Sequence, residues 1–461
     1  MEISGYAAEG KSLAKVEGKV IFVEGAVPGD VADVFITRNK KDWAEGKAQR
    51  ITQYSSDRVE PFCRHFGICG GCKWQMLPYP LQLKYKEQET RDVFSRIGKI
   101  KAAPMLPIVG SEKIIHYRNK LEFTYSNKKY LAPQDLEALG DSEWPGGALG
   151  YHVPRLYDKV IDIYECWLMD DVNNRIRNYM RMYAQEHALE YYDIKNHHGF
   201  LRNIVVRYCT TGELMVNMLV AENNKEAIRN MGDQLLLQVP EITTLLYTVN
   251  TKWNDSIYDL EPQILSGNGY VIEKLGDYLF KISPKSFFQT NTEQAEVLYG
   301  IVKEFAALTG KETVYDLYCG TGSIGIFLSS AAGKVIGVET VPEAVADAWE
   351  NAQLNQLEHT SFFAGDVIDI CNNTFFEKHG RPDVVIVDPP RAGLHGKLVE
   401  KLLEIAPPRI VYVSCNVATQ ARDLALLAEK YEVIKLQPVD MFPHTHHIEC
   451  VAKLELRTDL P

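Results

Sequence analysis

"TVYDLYCGTGSIG", residues 313–325, is the stretch on which the reading of the fold turns. A short β-prone run ends at Asp316, a glycine-rich loop follows, and a helical pattern takes over. Gly320, Gly322 and Gly325 stand as G-x-G-x-x-G, a spacing that lets backbone approach a ligand where a strand hands over to a helix. Working outward, "KVIGVET" (334–340), "SFFAGD" (361–366), "DVVIVDPP" (383–390) and "RIVYVSCN" (409–416) repeat the theme between helical stretches. That alternation predicts a doubly wound, Rossmann-like parallel α/β sheet from about residue 284 onward. Such sheets bind ligands beyond the carboxyl ends of their strands. The residues at those ends are Asp316, Glu339, Asp366, Asp388 and Cys415.

The rest of the chain is organised differently. At 461 residues, two or three domains are expected. Residues 1–55 hold short β-rich runs broken by the turn signal Pro28-Gly29-Asp30, which suits a small OB-like barrel. Such a barrel either binds single-stranded nucleic acid or only packs on its neighbour. Residues 56–283 read as a central α+β domain, with helices near 80–98 and 169–190 and strands near 118–126, 201–208 and 214–220. The net charge of −11 speaks against a nucleic-acid partner at first sight. Residues 56–130, however, carry fourteen Lys and Arg against seven Asp and Glu, a local basic block of the kind phosphate contacts need. With no secretory leader and no apolar run of membrane length in the sequence, a cytoplasmic protein is expected.

Which ligand sits on the sheet is not decided by the glycine loop. Glu339, nineteen positions after Gly320, could serve the ribose of a dinucleotide or of S-adenosylmethionine. A nucleotide-dependent oxidoreductase and a methyltransferase both stand at this point. "DPPR" (388–391) is a rigid loop after a strand-terminal carboxylate, with Arg391 where base-flipping amine methylases place an aromatic. Cys415 tips the balance. Carbon 5 of a pyrimidine attacks a methyl group only after a thiolate has added to carbon 6, and the carbon-5 proton must then go to a base. A free thiol of pKa about 8.5 is a few per cent ionised near neutrality, and an electropositive site would raise that share. Glu449, at the start of a last strand, is the candidate base, and His444, His446 and His447 before it leave a metal site as the competing reading. Cys209, Cys371 and Cys450 read as inert buried thiols.

A second cysteine group stands apart. "CRHFGICGGC" sets Cys63, Cys69 and Cys72 within ten residues, with Gly67, Gly70 and Gly71 allowing the chain to wrap. Zinc and an iron–sulfur cluster are both open on this spacing, and a fourth ligand must come from elsewhere.

The motifs "FFQTN" (287–291), "DLYCGTG" (316–322), "VE" (338–339), "DPPR", "SCN" (414–416) and "HIE" (447–449) together resemble the RNA uracil-5-methyltransferases. The resemblance implies a TRAM-type barrel over residues 1–55, a central substrate domain over 56–283 and a methyltransferase domain over 284–461. It implies that Cys415 is the nucleophile and Glu449 the base. Gln289, Tyr318, Glu339, Asp366 and Asp388 take positions that contact S-adenosylmethionine in that family, and Arg118 in "HYRNKLEF" takes that of an RNA contact. The ribosomal-RNA branch is similar in its cysteine spacing, which implies a 4Fe-4S cluster on Cys63, Cys69, Cys72 and Cys166, and a uridine of 23S ribosomal RNA as target. A transfer-RNA enzyme is the nearest competitor, an iron–sulfur oxidoreductase the competitor from another class, and an RNA-binding scaffold without turnover the third. No obligate protein partner or membrane is expected.

Overall fold

The computed structural model describes residues 1–100, 104–131, 136–137, 139 and 146–458. The chain forms two compact units. One comprises Met1–Phe62, Lys73–Ile114 and Glu293–Pro461; the other comprises Cys63–Cys72 and Ile115–Thr292.

In the first unit, residues 313–456 build a seven-stranded sheet. Its order is Thr360–Ala364, Lys334–Glu339, Thr313–Leu317, Val384–Val387, Arg409–Ser414, Glu449–Leu456, Tyr431–Val439. The first five strands in that order are parallel. They read as unbroken apolar runs because both faces are covered by helices: all four residues of Val384–Val387 are buried. Ile336, Val338, Val385, Ile410 and Tyr412 share one continuous core. The sheet is mixed rather than wholly parallel, since Glu449–Leu456 runs antiparallel to Arg409–Ser414 and to Tyr431–Val439. That reversal brings the start of the last strand to the edge where the parallel strands end.

Residues 73–114 belong with this sheet, a finding that the local pattern around them did not reveal. Met105 and Val109 make bridges to Leu436 and Val439, extending the sheet's edge. The helix Tyr79–Arg96 carries Pro80 in its first turn, where a missing N–H costs nothing. It buries Lys86, which meets Asp440 at 2.7 Å with neither side chain exposed. Removing one partner of such a pair strands a buried charge, at a cost of about 3–5 kcal/mol. Part of the basic block of residues 56–130 is therefore interior.

The N-terminal strands form a five-stranded sheet in the order Gly5–Tyr6, Ser12–Val16, Lys19–Glu24, Trp43–Gln53, Val31–Asn39. A bridge from Glu2 to Val31 ties its two ends together. Ile3, Ala14, Ile21, Val23, Ala26 and Ala44 fill its core.

The second unit holds a seven-stranded sheet of its own. Leu201–Tyr208 and Leu214–Val220 are its most deeply buried strands, flanked by Lys120–Ser126 and Thr244–Val249. The helices Val172–Glu186 and Lys225–Gln238 belong to the same unit. The strands expected near 118–126, 201–208 and 214–220 and the helix near 169–190 are present to within a few residues, while Lys225–Gln238 and Thr244–Val249 lie outside that expectation. Among the described residues, no helix is long and apolar enough to cross a membrane.

Candidate active site

The glycine loop after Thr313–Leu317 is shaped by its neighbours. The backbone N–H groups of Tyr318 and Cys319 both donate to the Val338 carbonyl, at 3.0 and 3.2 Å. Gly320 donates to Glu339 Oε2 at 3.2 Å. Its φ of +53° suits glycine, and a Cβ there would meet nothing within 4 Å, so the loop opens on free space. Gly325 serves a different need: a Cβ would lie 3.0 Å from Asp316 Oδ2, to which its N–H donates at 2.8 Å. The first glycine leaves room for a ligand, and the third lets the helix Ser323–Leu328 sit on the strand.

Carboxylates crowd this edge. Asp316 is fully buried and its Oδ1 has no hydrogen-bond partner. Burial, with Asp388 and Glu339 nearby, lifts its carboxyl to about 7 against the pull of the Gly325 N–H. Burial likewise lifts Asp388 to about 7. Glu339 also accepts from Val341 N and Thr340 Oγ1 through Oε1, at 2.9 and 3.0 Å. Asp366 caps a short helix by accepting from Ile368 N at 2.9 Å. Tyr318, held at φ +63°, has its hydroxyl pKa raised by burial and then by Asp366, Asp423 and Glu339.

Cys415 and Glu449 are brought together by strand register. Ser414 pairs with Cys450 across an antiparallel ladder, so the residue after one stands opposite the residue before the other. Burial pushes the Cys415 thiol up to about 11, helped by Glu449 and Asp388 and opposed by Arg391. Glu449, 6% exposed, is raised well above the ordinary glutamate range by burial and Asp388, and Arg391 again opposes. The surroundings of the thiol are not of the electropositive kind that would raise its ionised share. Its neighbours are mainly acidic, and Arg391 is the cation that favours ionising both groups.

Asn416 joins the two loops. Its Oδ1 caps the helix Val417–Leu427 by accepting from Ala418 N at 3.0 Å, and its Nδ2 donates to the Arg391 carbonyl at 3.1 Å. Tyr299 also belongs to this cluster: its hydroxyl meets Ser323 Oγ at 3.0 Å, and its pKa is raised by burial and by the charges of Asp388, Asp316 and Glu449. In sequence it reads only as one member of the apolar stripe of helix Thr292–Ala306.

The histidines before Glu449 are packed rather than poised around an ion. His444 Nδ1 lies 3.1 Å from Gln82 Nε2, and Gly10 lies against His446. Burial pulls both imidazoles down to about 4. Among the described residues, no group of three or more His, Cys, Asp or Glu is arranged to hold a metal ion.

Two expected site residues lie in the second unit. The Gln289 carbonyl accepts from Asn119 Nδ2 at 2.9 Å, and Asn119 N donates to the Thr290 carbonyl at 2.7 Å. The stretch 287–291 therefore packs with the central strands instead of opening the methyltransferase sheet. The Arg118 guanidinium lies 5.9 Å from the Tyr117 ring, and the Arg118 backbone N–H donates to the Leu168 carbonyl at 2.7 Å.

The cysteine group is in the same unit. Tyr164 N donates to His65 Nε2 at 3.3 Å, tying the turn 63–72 to the segment that carries Cys166. Burial pushes Cys69 up to about 12. The Gly71 N–H, 3.4 Å from its sulfur, offsets part of this, while Cys166, Cys72 and Cys63 add to it. Cys63 is raised by burial and by Cys166. Cys166 is buried, its hydroxyl neighbour Tyr151 is 4.0 Å away, and its charge is felt by the buried Arg177. Cys69 thus senses the other three thiols. The same absence of a metal-holding group among the described residues covers these cysteines, so the structure does not show the metal site that the spacing predicts.

A Rossmann-like sheet whose strand ends gather carboxylates and a thiol is the arrangement of a methyltransferase of the α/β class. The sequence pattern of the tRNA (uracil-5-)-methyltransferase family matches residues 205–457, and the chain belongs to that family. An uncharacterized RNA methyltransferase of Bacteroides thetaiotaomicron is 50% identical over 98% of this chain and 100% of its own length. One from Porphyromonas gingivalis is 47% identical, with all of both chains covered. Among solved structures, the tRNA (uracil-54, C5)-methyltransferase of Pyrococcus abyssi, in complex with S-adenosyl-L-homocysteine, superposes with a TM-score of 0.77 at 28% identity, covering 98% of this chain and 99% of that one.

Proposed function

We propose that the protein methylates carbon 5 of a uridine in 23S ribosomal RNA, using S-adenosylmethionine. The observation that carries the reading is the register that sets Cys415 opposite Glu449 at the strand edge holding Glu339, Asp366 and Asp388. Open space at Gly320 beside the Glu339 carboxylate and Tyr318 fits the donor. S-adenosylmethionine, when bound, supplies the methyl group and a positive sulfonium.

The chain's own residues carry the remaining chemistry. The Cys415 thiol gives up its proton to solvent and its sulfur adds to carbon 6 of the uracil, the displaced electron pair passing into an enolate whose carbon 5 is nucleophilic. After carbon 5 has taken the methyl group, ionised Glu449 removes the carbon-5 proton, and the bond from sulfur to carbon 6 breaks. Arg391 favours the charged forms of both groups; Asp388 opposes them. The roles of Gln289 and Arg118 rest on the family resemblance, as does the reading of residues 1–55 as a TRAM-type barrel, although a five-stranded sheet closed through Glu2 and Val31 supports the latter. RNA carrying 5-fluorouridine should trap the enzyme as a stable adduct, because fluorine cannot leave as a proton does. Wild type is expected to form it and Cys415→Ala is not; a stable adduct in the variant would overturn the assignment.

A 4Fe-4S cluster on Cys63, Cys69, Cys72 and Cys166 rests on the cysteine spacing and the family resemblance, not on the geometry, since the four thiols are not arranged to hold a metal ion. A transfer RNA is the second reading, favoured by the family's name and by the solved archaeal relative. Reaction with each purified RNA, with 5-methyluridine read by mass spectrometry, separates the two.

A further inference from the structure

Outside the methylating cleft, the second unit presents an exposed tryptophan on two loops that are pinned with unusual thoroughness. Trp253 is 75% exposed, yet its ring stacks on His197 at 4.6 Å and 5°. An exposed indole on a polar loop ordinarily has no fixed partner. Here both supporting loops are held from below.

The loop 250–255 is held by Arg202, a guanidinium only 1% exposed. Its Nη1 donates to the carbonyls of Asn250 and Lys252, and its Nη2 to the Asn254 carbonyl and Asp255 Oδ1. The loop 193–198 is held by Asp193, which accepts from the backbone N–H groups of Lys195 and Asn196 at 2.8 and 3.1 Å. The Asp193 Oδ2 also accepts from Asn127 Nδ2 at 2.9 Å. His197 sits at φ +57°, a conformation that non-glycine residues adopt rarely. Its Nδ1 is 3.4 Å from the Tyr192 hydroxyl, and Arg202 lies 4.2 Å over the Tyr192 ring.

Tyr192 and Arg202 also line a small cavity. Tyr125 Oη, His152 Nδ1, Arg202 Nε and Asn203 Oδ1 belong to residues of the same lining, and each is buried with no hydrogen-bond partner in the protein. The cavity has room for no more than a water molecule, so these atoms lie out of reach of a base. Close by, the Lys195 ammonium lies 5.8 Å over the ring of Tyr157, itself 64% exposed. The local carboxylates are spoken for: Asp158 pairs with Lys195, Asp255 with Arg202 and Asp259 with Lys252.

We propose that this surface binds an unpaired stretch of the RNA substrate, with one base stacked on the open face of Trp253. Aromatic faces with cations beside them are what single-stranded RNA binds, since every base has a face to stack and every linkage a charge. The proposal rests on RNA being the substrate, and it concerns nucleotides other than the one methylated.

The test uses the full chain and a labelled twelve-residue oligocytidine, which offers no uridine to the cleft. Trp253→Ala should weaken binding by about tenfold and Trp253→Phe by no more than about threefold, both at unchanged melting temperature. Because stacking releases no counterions, the slope of log Kd against log salt should be the same in Trp253→Ala as in wild type. Unaltered binding in Trp253→Ala, a Trp253→Phe variant as weak as Trp253→Ala, or a changed salt slope would each overturn the platform. Methyl transfer to RNA is followed in parallel. Oligocytidine binding that depends on Trp253 in a protein that methylates no RNA would sink the functional reading and leave the platform standing.

Discussion

The molecule holds two kinds of cysteine site, and they differ in what surrounds the sulfur. Cys415 lies half-buried at a strand end among Glu449, Asp388 and, more favourably, Arg391. Cys69 has the three thiols of Cys166, Cys72 and Cys63 as neighbours, Cys63 has Cys166 and Glu165, and Arg177 is close to Cys166. Burial raises the pKa of Cys415, Cys63 and Cys69 in their separate settings, so a raised thiol pKa says little about role. The neighbours say more. A sulfur beside an acid that can take a proton is equipped for a bond made and broken in each cycle. Sulfurs that push on each other are equipped to be neutralised together, which is what shared metal binding does.

The comparison breaks first at Cys415. Cys415→Ala is expected to lower methyl transfer by at least about 10⁴-fold, the scale on which loss of a covalent nucleophile is felt. The measurement is transfer of labelled methyl from S-adenosylmethionine to RNA. Residual activity within tenfold of wild type would move the chemistry to another residue. Glu449→Gln should fall by roughly 10²–10⁴-fold, the usual worth of a positioned base. It should differ from Cys415→Ala in kind: the sulfur still adds, the proton stays, and a covalent RNA–protein species accumulates even on ordinary uridine. Gels that show no such species in Glu449→Gln would assign proton removal elsewhere.

Substitutions in the other cysteine group should act the opposite way. Cys166→Ser is expected to abolish the visible absorption and iron content of anaerobically purified protein and to lower its melting temperature. Any activity left in the folded fraction should be reduced about tenfold or less, far from the loss in Cys415→Ala. Colourless, iron-free wild type would remove the cluster.

The same contrast explains how much could be read in advance. Cys415, Asp388 and Glu339 follow short apolar runs, so local pattern alone sets them at strand ends. The pairing that matters most, Cys415 with Glu449, was readable as two adjacent motifs but not as geometry, because nothing local announces that the last strand runs antiparallel. Residues 73–114 were assigned to the central region because their partners, Leu436, Val439 and Asp440, lie more than 300 positions away. Tyr299 and Trp253 carried no motif at all. One looked like core and the other like loop, and only packing distinguishes them. The mainly acidic setting of the thiol was not legible for a related reason, since charge within a cleft depends on which strand ends meet, not on which residues are near in sequence.

The smallest expected effect concerns that cleft charge. Asp388 has a folded pKa of about 7, raised by burial from an ordinary value near 4. A carboxyl raised on folding favours the folded state fully below its unfolded pKa and loses that contribution as pH climbs through the folded one. Wild type should therefore lose stability between about pH 4 and 7 on this group's account, with the full cost present by pH 8. Asp388→Asn, which cannot ionise, should melt a few degrees higher than wild type at pH 8, and this difference should shrink toward pH 5. The same change removes one of the charges holding the Cys415 thiol up near 11. Alkylation of Cys415 by iodoacetamide at pH 8 should then quicken a few-fold, even though methyl transfer falls. Equal alkylation rates in the two proteins would mean that burial alone sets the thiol's acidity, and that the acidic neighbours distinguishing this cysteine from the other four do not govern it.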